Sequence, residues 1–150
     1  MSPFRIGGTI MDWTDIISRS EKTFWGMLGL RLLSADSQRV EIGLTATESH
    51  LNSMGIVHGG VLSSMMDQAM GTLVTATKGG REGVTTHLNV NFLSPMTKGE
   101  LIVTAYPLHE TFRTMTLRAE VHNSEGILGC ISTATFRLPK AKTDAAAQKS

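Results

Sequence analysis

The spacing of apolar residues changes along the chain and divides it into regions with different predicted structures. In residues 12–28, apolar side chains recur near helical spacing: Trp13, Ile16, Ile17, Phe24 and Trp25. This pattern predicts one amphipathic helix with Asp12 as its N-cap. We expect the helix to pack on the outside of the core or over a binding cleft.

A second, more apolar helix is predicted over residues 59–76. Its apolar side chains form a wide stripe: Val61, Leu62, Met65, Met66, Ala69, Met70, Leu73 and Val74. A stripe of this width indicates a helix that is mostly buried. The glycines Gly79 and Gly80 follow it and suit the end of a helix.

Strands are predicted on both sides of the buried helix, two short ones before it and four longer ones after it. They cover residues 31–35, 39–45, 84–93, 100–108, 113–123 and 127–138. Simple alternation along the third strand puts Thr85, His87 and Asn89 on one face. The order of elements predicts an α+β fold, in which one antiparallel sheet curls around one central helix.

Length and composition narrow the class of protein. The 150 residues predict a single domain over residues 1–138 and a disordered tail over residues 139–150. A net charge of +1 argues against nucleic-acid binding. Without a long apolar run or a secretory signal, we expect a cytoplasmic protein with no membrane span. The one cysteine, Cys130, lies in an apolar stretch and is predicted to be a buried, inert thiol.

The segment from residue 52 to residue 67 carries the candidate chemistry. Asp67 is the only charged residue between His58 and Lys78. Because an unpaired carboxylate is costly in a buried helix, proteins retain one mainly where it is paired or where it works. A structural role, with Asp67 bonded to backbone or to Ser63, is the alternative.

His58, Gly59 and Gly60 stand where the buried helix begins. The first N–H groups of a helix have no partner within it, and two glycines let a carbonyl approach them, which suits an oxyanion site. Asn52 can orient a water or a carbonyl, and its alternative role is that of a turn residue. Since Asp67 lies about 10 Å further along the helix, we expect two subunits to complete one site.

These residues resemble the hotdog-fold thioesterase superfamily, in particular its phenylacetate-degradation (PaaI-like) branch. The resemblance rests on Asn52, Gly55, the His58–Gly59–Gly60 motif and Asp67, together with residues 83–95 and Gly99 and Glu100. It implies an acyl-CoA thioesterase that forms a homodimer or homotetramer, with its site between subunits and residues 84–93 as the pairing strand.

The resemblance also implies roles for individual residues. Asp67 is expected to be the base or nucleophile, and Gly59 the group that polarises the thioester carbonyl. Asn52 and His58 are expected to contact the thioester or the water, and Thr85 to help place that water. Further substrate contacts are predicted at Gly60, Ser64 and Asn89. Lys98 and Arg113 are predicted to bind the phosphates of CoA. Lys78 and Arg81 are further candidates for phosphate binding. His87 has no assigned role.

No metal or cofactor is expected, because the five histidines show no paired ligand spacing and no serine-hydrolase, phosphate-loop or dinucleotide motif is present. Two other functions stay open. A hotdog hydratase or dehydratase would use His58 and Asp67 as a histidine–acid pair. A non-catalytic acyl-CoA-binding protein would bind the ligand without turnover.

Overall fold

The structure, a computed structural model, describes residues 4–6 and 9–140. Strands β1 (Phe4–Ile6) and β2 (Thr9–Met11) form a two-stranded antiparallel sheet. Helices α1 (Thr14–Ser20) and α2 (Phe24–Leu28) follow, then strands β3 (Arg31–Ala35) and β4 (Val40–Ala46). A short 3-10 turn (Glu48–His50) leads into α3 (Gly59–Thr77). The chain continues with β5 (Val84–Phe92), β6 (Gly99–Glu110), β7 (Thr114–Asn123) and β8 (Leu128–Arg137).

The main sheet has six antiparallel strands in the order β3-β4-β6-β7-β8-β5. Among the described strands, β5 therefore stands at one edge, with only β8 beside it. The predicted α+β architecture, a hotdog fold with one sheet around one long helix, is confirmed. No helix in the described part of the chain is long and apolar enough to cross a membrane.

Helix α3 is buried along the stripe that its sequence predicts. Leu62, Met65, Met66, Ala69, Met70, Leu73 and Val74 are all at most 4% exposed, whereas Val61 is half-buried. Inward-facing side chains of the sheet, such as Ile42, Val103, Leu117 and Ala134, close the core around them. Burial of this stripe holds α3 in a single orientation, and that orientation decides where Asp67 points.

The N-terminal region differs from the prediction in two ways. Residues 12–28 form two helices instead of one, because Thr23 is extended and its hydroxyl donates to the Ser20 carbonyl. Gly26 lets α2 fold back closely, since a Cβ there would lie 1.9 Å from the Glu21 carbonyl oxygen. Helix α1 begins at Thr14, so Asp12 is not the N-cap residue, although its carboxylate accepts the Thr14 N–H at 2.9 Å.

The face predicted for Thr85 is wrong, because a β-bulge between Thr85 and His87 breaks the alternation. Thr85 turns toward α3, whereas His87 and Asn89 are exposed. The predicted tail stays a prediction, since only Pro139 and Lys140 of that segment lie within the described residues.

Candidate active site

Asp67 is a half-buried carboxylate on α3 that faces strand β5. Thr85 Oγ1 donates a hydrogen bond of 2.7 Å to Asp67 Oδ1. Ser63, the structural alternative, bonds instead to the Gly59 carbonyl. No cation pairs with Asp67 within the described residues, so one oriented oxygen and one free oxygen face the adjacent cavity. A carboxylate held in this way can accept a proton from water.

The start of α3 leaves one backbone donor free. The N–H groups of Val61 and Leu62 donate to the His58 carbonyl at 2.9 and 3.2 Å, and the Gly60 N–H donates to His58 Nδ1 at 2.8 Å. In this conformation Gly60 has no N–H left for a ligand. The Gly59 N–H has no partner among residues 9–140, which makes it the candidate oxyanion donor.

Neighbouring rings pack closely against both glycines. A Cβ at Gly59 would lie 3.1 Å from Phe92 Cζ, and a Cβ at Gly60 would lie 2.9 Å from His58 Nδ1. The Phe92 ring therefore packs against the first residue of α3, although 56% of Phe92 is exposed. The sequence did not single out Phe92, because phenylalanine is common in strands in which apolar and polar residues alternate.

Asn52 closes the loop that precedes α3. Its Oδ1 accepts the N–H groups of Met54 and Ile56 at 2.9 and 3.3 Å, which identifies the oxygen side of the amide. The Nδ2 group has no hydrogen-bond partner in the described part of the chain. Asn52 therefore combines the turn role with a free amide donor beside the cavity at the helix start.

His50 is a buried residue whose importance the sequence did not reveal. Its Nδ1 accepts the Thr47 N–H at 3.0 Å, so Nε2 carries the proton and donates to the Leu28 carbonyl at 2.7 Å. Its own carbonyl accepts the His58 N–H at 2.9 Å. The ring thus links α2 to the loop that leads into α3. The Thr47-to-His50 spacing, typical of a cap, was the available signal.

The candidate catalytic groups lie in two separate cavities. Cavity A, about 260 Å³, is lined by Asp67 and Thr85 together with α1 and α2. Cavity B, about 290 Å³, is lined by Asn52, Gly59 and Phe92. The two share no lining residue. Gly59 and Asp67 are eight residues apart, or about 12 Å along the helix, which is too far for both to act on one carbonyl in the same chain.

The predicted phosphate-binding cations all have partners within the chain. Lys98 pairs with Glu48, and this pairing holds the pKa of the exposed Glu48 carboxyl below its usual range. Arg113 donates to the Leu138 carbonyl at 3.2 Å. Lys78 pairs with Glu110 at 2.6 Å, and Arg81 donates to the Pro139 carbonyl at 2.8 Å.

The remaining predicted contacts divide between the two sides of the sheet. Ser64 Oγ donates to the Gly60 carbonyl at 2.6 Å, on the first turns of α3. Asn89 is exposed on β5, opposite Thr133 of β8 and on the outer face of the sheet. The structure therefore brings Asp67 and Thr85 together at cavity A, and Asn52 and Gly59 together at cavity B, whereas His58 lines neither cavity. Asn89 and Arg113 line neither cavity.

Comparison with known proteins agrees with this fold. The family model described as thioesterase superfamily matches residues 54–130. Human acyl-coenzyme A thioesterase 13 is 30% identical over 91 residues, which cover 59% of this chain and 65% of the human protein. The E. coli PaaI protein from the phenylacetic acid degradation operon superposes with a TM-score of 0.78 at 23% identity, over 86% of this chain and 94% of that one.

A third protein, from Streptococcus mutans, was solved bound to acetyl CoA. It superposes with a TM-score of 0.70 at 22% identity, over 75% of this chain and 89% of the other. A six-stranded antiparallel sheet wrapped around one long helix defines a hotdog protein. The chain belongs to the thioesterase superfamily.

Proposed function

We propose that the chain is an acyl-CoA thioesterase whose active site is completed by a second copy of itself. The observation that carries this proposal is the separation of two matched half-sites in one chain. Asp67, oriented by Thr85, lines cavity A, and the free Gly59 N–H lies beside cavity B. Neither half-site is sufficient for acyl transfer, and each supplies what the other lacks.

The free edge of strand β5 offers a way to join the half-sites. Thr85, near one end of β5, contacts Asp67, and Phe92, at the other end, packs against Gly59. If two copies of β5 pair antiparallel about a two-fold axis near Leu88, Thr85 of one copy lies close to Phe92 of the other. Asp67 of one copy then faces Gly59 of its partner, and two equivalent sites form.

In this arrangement the thioester carbonyl accepts the Gly59 N–H from one copy. Asp67 of the other copy takes a proton from water while the water oxygen attacks the carbonyl carbon. The resulting oxyanion is stabilised by Gly59 and by the positive end of the α3 dipole. The carbon–sulfur bond then breaks, the proton passes to the departing CoA thiolate, and the products are a free acid and CoA. Direct attack by Asp67 would instead give a mixed anhydride that water hydrolyses.

The names of the relatives support CoA thioesters as the substrate. One relative is named as an acyl-coenzyme A thioesterase, and a structural relative was solved with acetyl CoA. We place the protein in the cytoplasm, acting on a soluble CoA thioester without a metal or cofactor. A hydratase would also draw on His58, but its Nδ1 caps the Gly60 N–H, which favours the hydrolase.

Release of free thiol from acyl-CoA tests this proposal directly. Asp67→Asn keeps the size of the side chain and its bond to Thr85, so the fold should persist. We expect turnover to fall about 10²- to 10⁴-fold, with an unchanged thermal midpoint. Glu125→Gln, which neutralises an exposed carboxylate outside both cavities, is the control. Near-normal turnover in Asp67→Asn would sink the proposal, and binding without turnover in the unmodified protein would favour an acyl-CoA-binding role.

A further inference from the structure

Cavity A follows one face of α3 for two helical turns beyond the catalytic carboxylate. It is lined by Asp67, Gly71 and Thr75, which are spaced four residues apart and so lie on one side of the helix. The run from Asp67 to Thr75 measures about 12 Å. The cavity is therefore an elongated space that starts at the carboxylate.

The opposite wall of cavity A is helix α1. None of the seven residues of α1 is buried, yet Ile16 and Ile17 are half-buried and line the cavity. The buried Trp25 of α2 and Phe136 of β8 also line it. Apolar side chains that stay half-exposed beside a cavity leave apolar surface for a ligand to cover.

The hydroxyl groups along this space donate their hydrogen bonds to backbone carbonyls of the chain and not to a ligand. Ser20 donates to the Ile16 carbonyl, Thr72 to the Gln68 carbonyl and Thr75 to the Gly71 carbonyl, at 2.7, 2.8 and 3.2 Å. The hydroxyl protons in the middle of cavity A are therefore already used within the chain, and the side-chain amide of Gln68 adds a polar group beside Asp67. Charge stands at the two ends of the cavity, with Asp67 at one and the exposed Glu82 at the other.

Glu82 marks the end far from the carboxylate. It precedes Gly83, where a Cβ would lie 3.0 Å from Val74 Cγ1, so this end is level with the last turns of α3. No cation pairs with Glu82 in the described part of the chain. A second negative charge at this end would meet repulsion.

We propose that cavity A is the acyl site, that it takes a neutral acyl group of up to about ten carbons, and that Ile17 of α1 forms the wall against which this group packs. This inference rests on the proposed thioesterase function. The length follows from about 12 Å of helix and an advance of about 1.2 Å per bond in an extended chain. The volume, about 260 Å³, is below the roughly 300–1,000 Å³ of sites that enclose whole drug-sized ligands, so CoA stays outside.

The test compares the same added ring on two faces of α1. Ile17→Phe fills cavity A, whereas Ser18→Phe adds an equal ring at an exposed position that does not line it. The readout is kcat/KM for acetyl-, hexanoyl-, decanoyl- and hexadecanoyl-CoA. We expect the decanoyl-to-acetyl ratio to fall about tenfold or more in Ile17→Phe. The ratio should be unchanged in Ser18→Phe and should shift toward longer acyl groups in Ile17→Ala.

A second variant approaches the cavity from the other wall. Gly71 lines cavity A, and a Cβ there would lie 3.3 Å from Phe136 Cε1, so Gly71→Ala adds a methyl group to this wall beside that ring. Alanine also suits a helix interior better than glycine, which protects the fold. We expect the same loss of decanoyl relative to acetyl turnover. This variant keeps the inference testable if Ile17→Phe does not fold.

The charge at the far end has its own test. Octanedioyl-CoA, which ends in a carboxylate, should be a poorer substrate than octanoyl-CoA. Glu82→Gln should narrow that gap about twofold to fivefold, the range for exposed charge pairs. Equal acyl-length profiles in the unmodified protein, Ile17→Phe and Gly71→Ala would overturn the inference while leaving the thioesterase function intact. Failure of the unmodified protein to release thiol from any acyl-CoA would overturn both.

Discussion

Thr85 Oγ1 donates a hydrogen bond of 2.7 Å to Asp67 Oδ1 and so joins the free edge strand to the central helix. The bond exists because a β-bulge after Thr85 turns its side chain inward. It leaves Asp67 with one oriented oxygen and one free oxygen. The hydroxyl of Thr85 thus acts first on the carboxylate of its own chain, which distinguishes its observed contact from the water-placing role that the family resemblance implies.

Removing this hydroxyl should lower turnover without abolishing folding. Thr85→Val keeps the β-branched shape but cannot donate, so Asp67 loses its orientation. Because hydrogen bonds to charged groups contribute about 1.5–3 kcal/mol, we expect kcat to fall about tenfold to a hundredfold, with a smaller change in KM. Thr85→Ser, which retains the donor, should stay close to the unmodified protein. Equal kcat values for the serine and valine variants would contradict a role for the hydrogen bond.

The oxyanion role of Gly59 can be separated from its packing role. Gly59 is the first residue of α3, where proline is tolerated, and His58 at φ −59° and ψ 135° already has the extended conformation that precedes proline. Gly59→Pro and Gly59→Ala both put a Cβ against Phe92. Only Gly59→Pro removes the N–H. We expect the proline variant to have a kcat about 10²- to 10³-fold below that of the alanine variant.

The measurement is kcat for a single acyl-CoA, alongside the thermal midpoint of each variant. Similar midpoints with very different kcat values would assign the effect to the missing donor. If both variants lose the same activity, the contact with Phe92 matters and the N–H does not.

The proposed shared site predicts complementation between two inactive proteins. Asp67→Asn lacks the base and Gly59→Pro lacks the oxyanion donor. In a mixed dimer, one of the two sites combines an intact Asp67 with an intact Gly59. After unfolding and refolding of an equal mixture, we expect about a quarter of the unmodified activity, because half of the dimers are mixed and each has one complete site. Activity no higher than that of the separate variants would place both groups in one chain.

Cys130 predicts a stability change at alkaline pH. Its side chain is buried against Met66, and burial raises the pKa of the thiol to about 11, with a partly opposing hydrogen bond from the Val121 backbone. The thiol of the unfolded chain, with its ordinary pKa of 9.0, ionises first. The contribution of the neutral thiol is therefore complete below about pH 9 and is lost between about pH 9 and pH 11.

Denaturant unfolding across pH 8 to 11 measures this effect. The unmodified protein should lose more free energy of unfolding over that range than Cys130→Ala, which has no thiol to ionise. Iodoacetamide should label Cys130 slowly at pH 8 in the folded protein and rapidly after denaturation. Rapid labelling of the folded protein would show that the thiol is accessible.

Much of the fold could be predicted because a helix or strand with one buried face has apolar residues at regular spacing in the sequence. The stripe from Val61 to Val74 predicts a buried helix, and the structure has α3 at Gly59–Thr77. The two-residue alternation in β4 and β7 likewise predicts strands, because one face of each is buried. Asp67 could be singled out for the same reason, as a charge in a segment that is otherwise apolar.

What the sequence could not supply depends on contacts between distant residues. Thr85 meets Asp67 only because a bulge changes the face of β5, and alternation alone gives the opposite answer. The break between α1 and α2 depends on how closely Gly26 approaches Glu21. The His50 ring is held by its hydrogen bond to the Leu28 carbonyl, which lies 22 residues earlier in the chain.

The sequence by itself determined which segments are helices and which are strands, the family, and the candidate carboxylate Asp67. Each of these depends on local spacing and residue type. Only the tertiary structure decided that Gly59, and not Gly60, keeps a free N–H, because the His58 ring turns back onto Gly60. It also decided that Asp67 and Gly59 face separate cavities. The direction in which a side chain points is set by the packing of the whole fold, and no local pattern of residues encodes it.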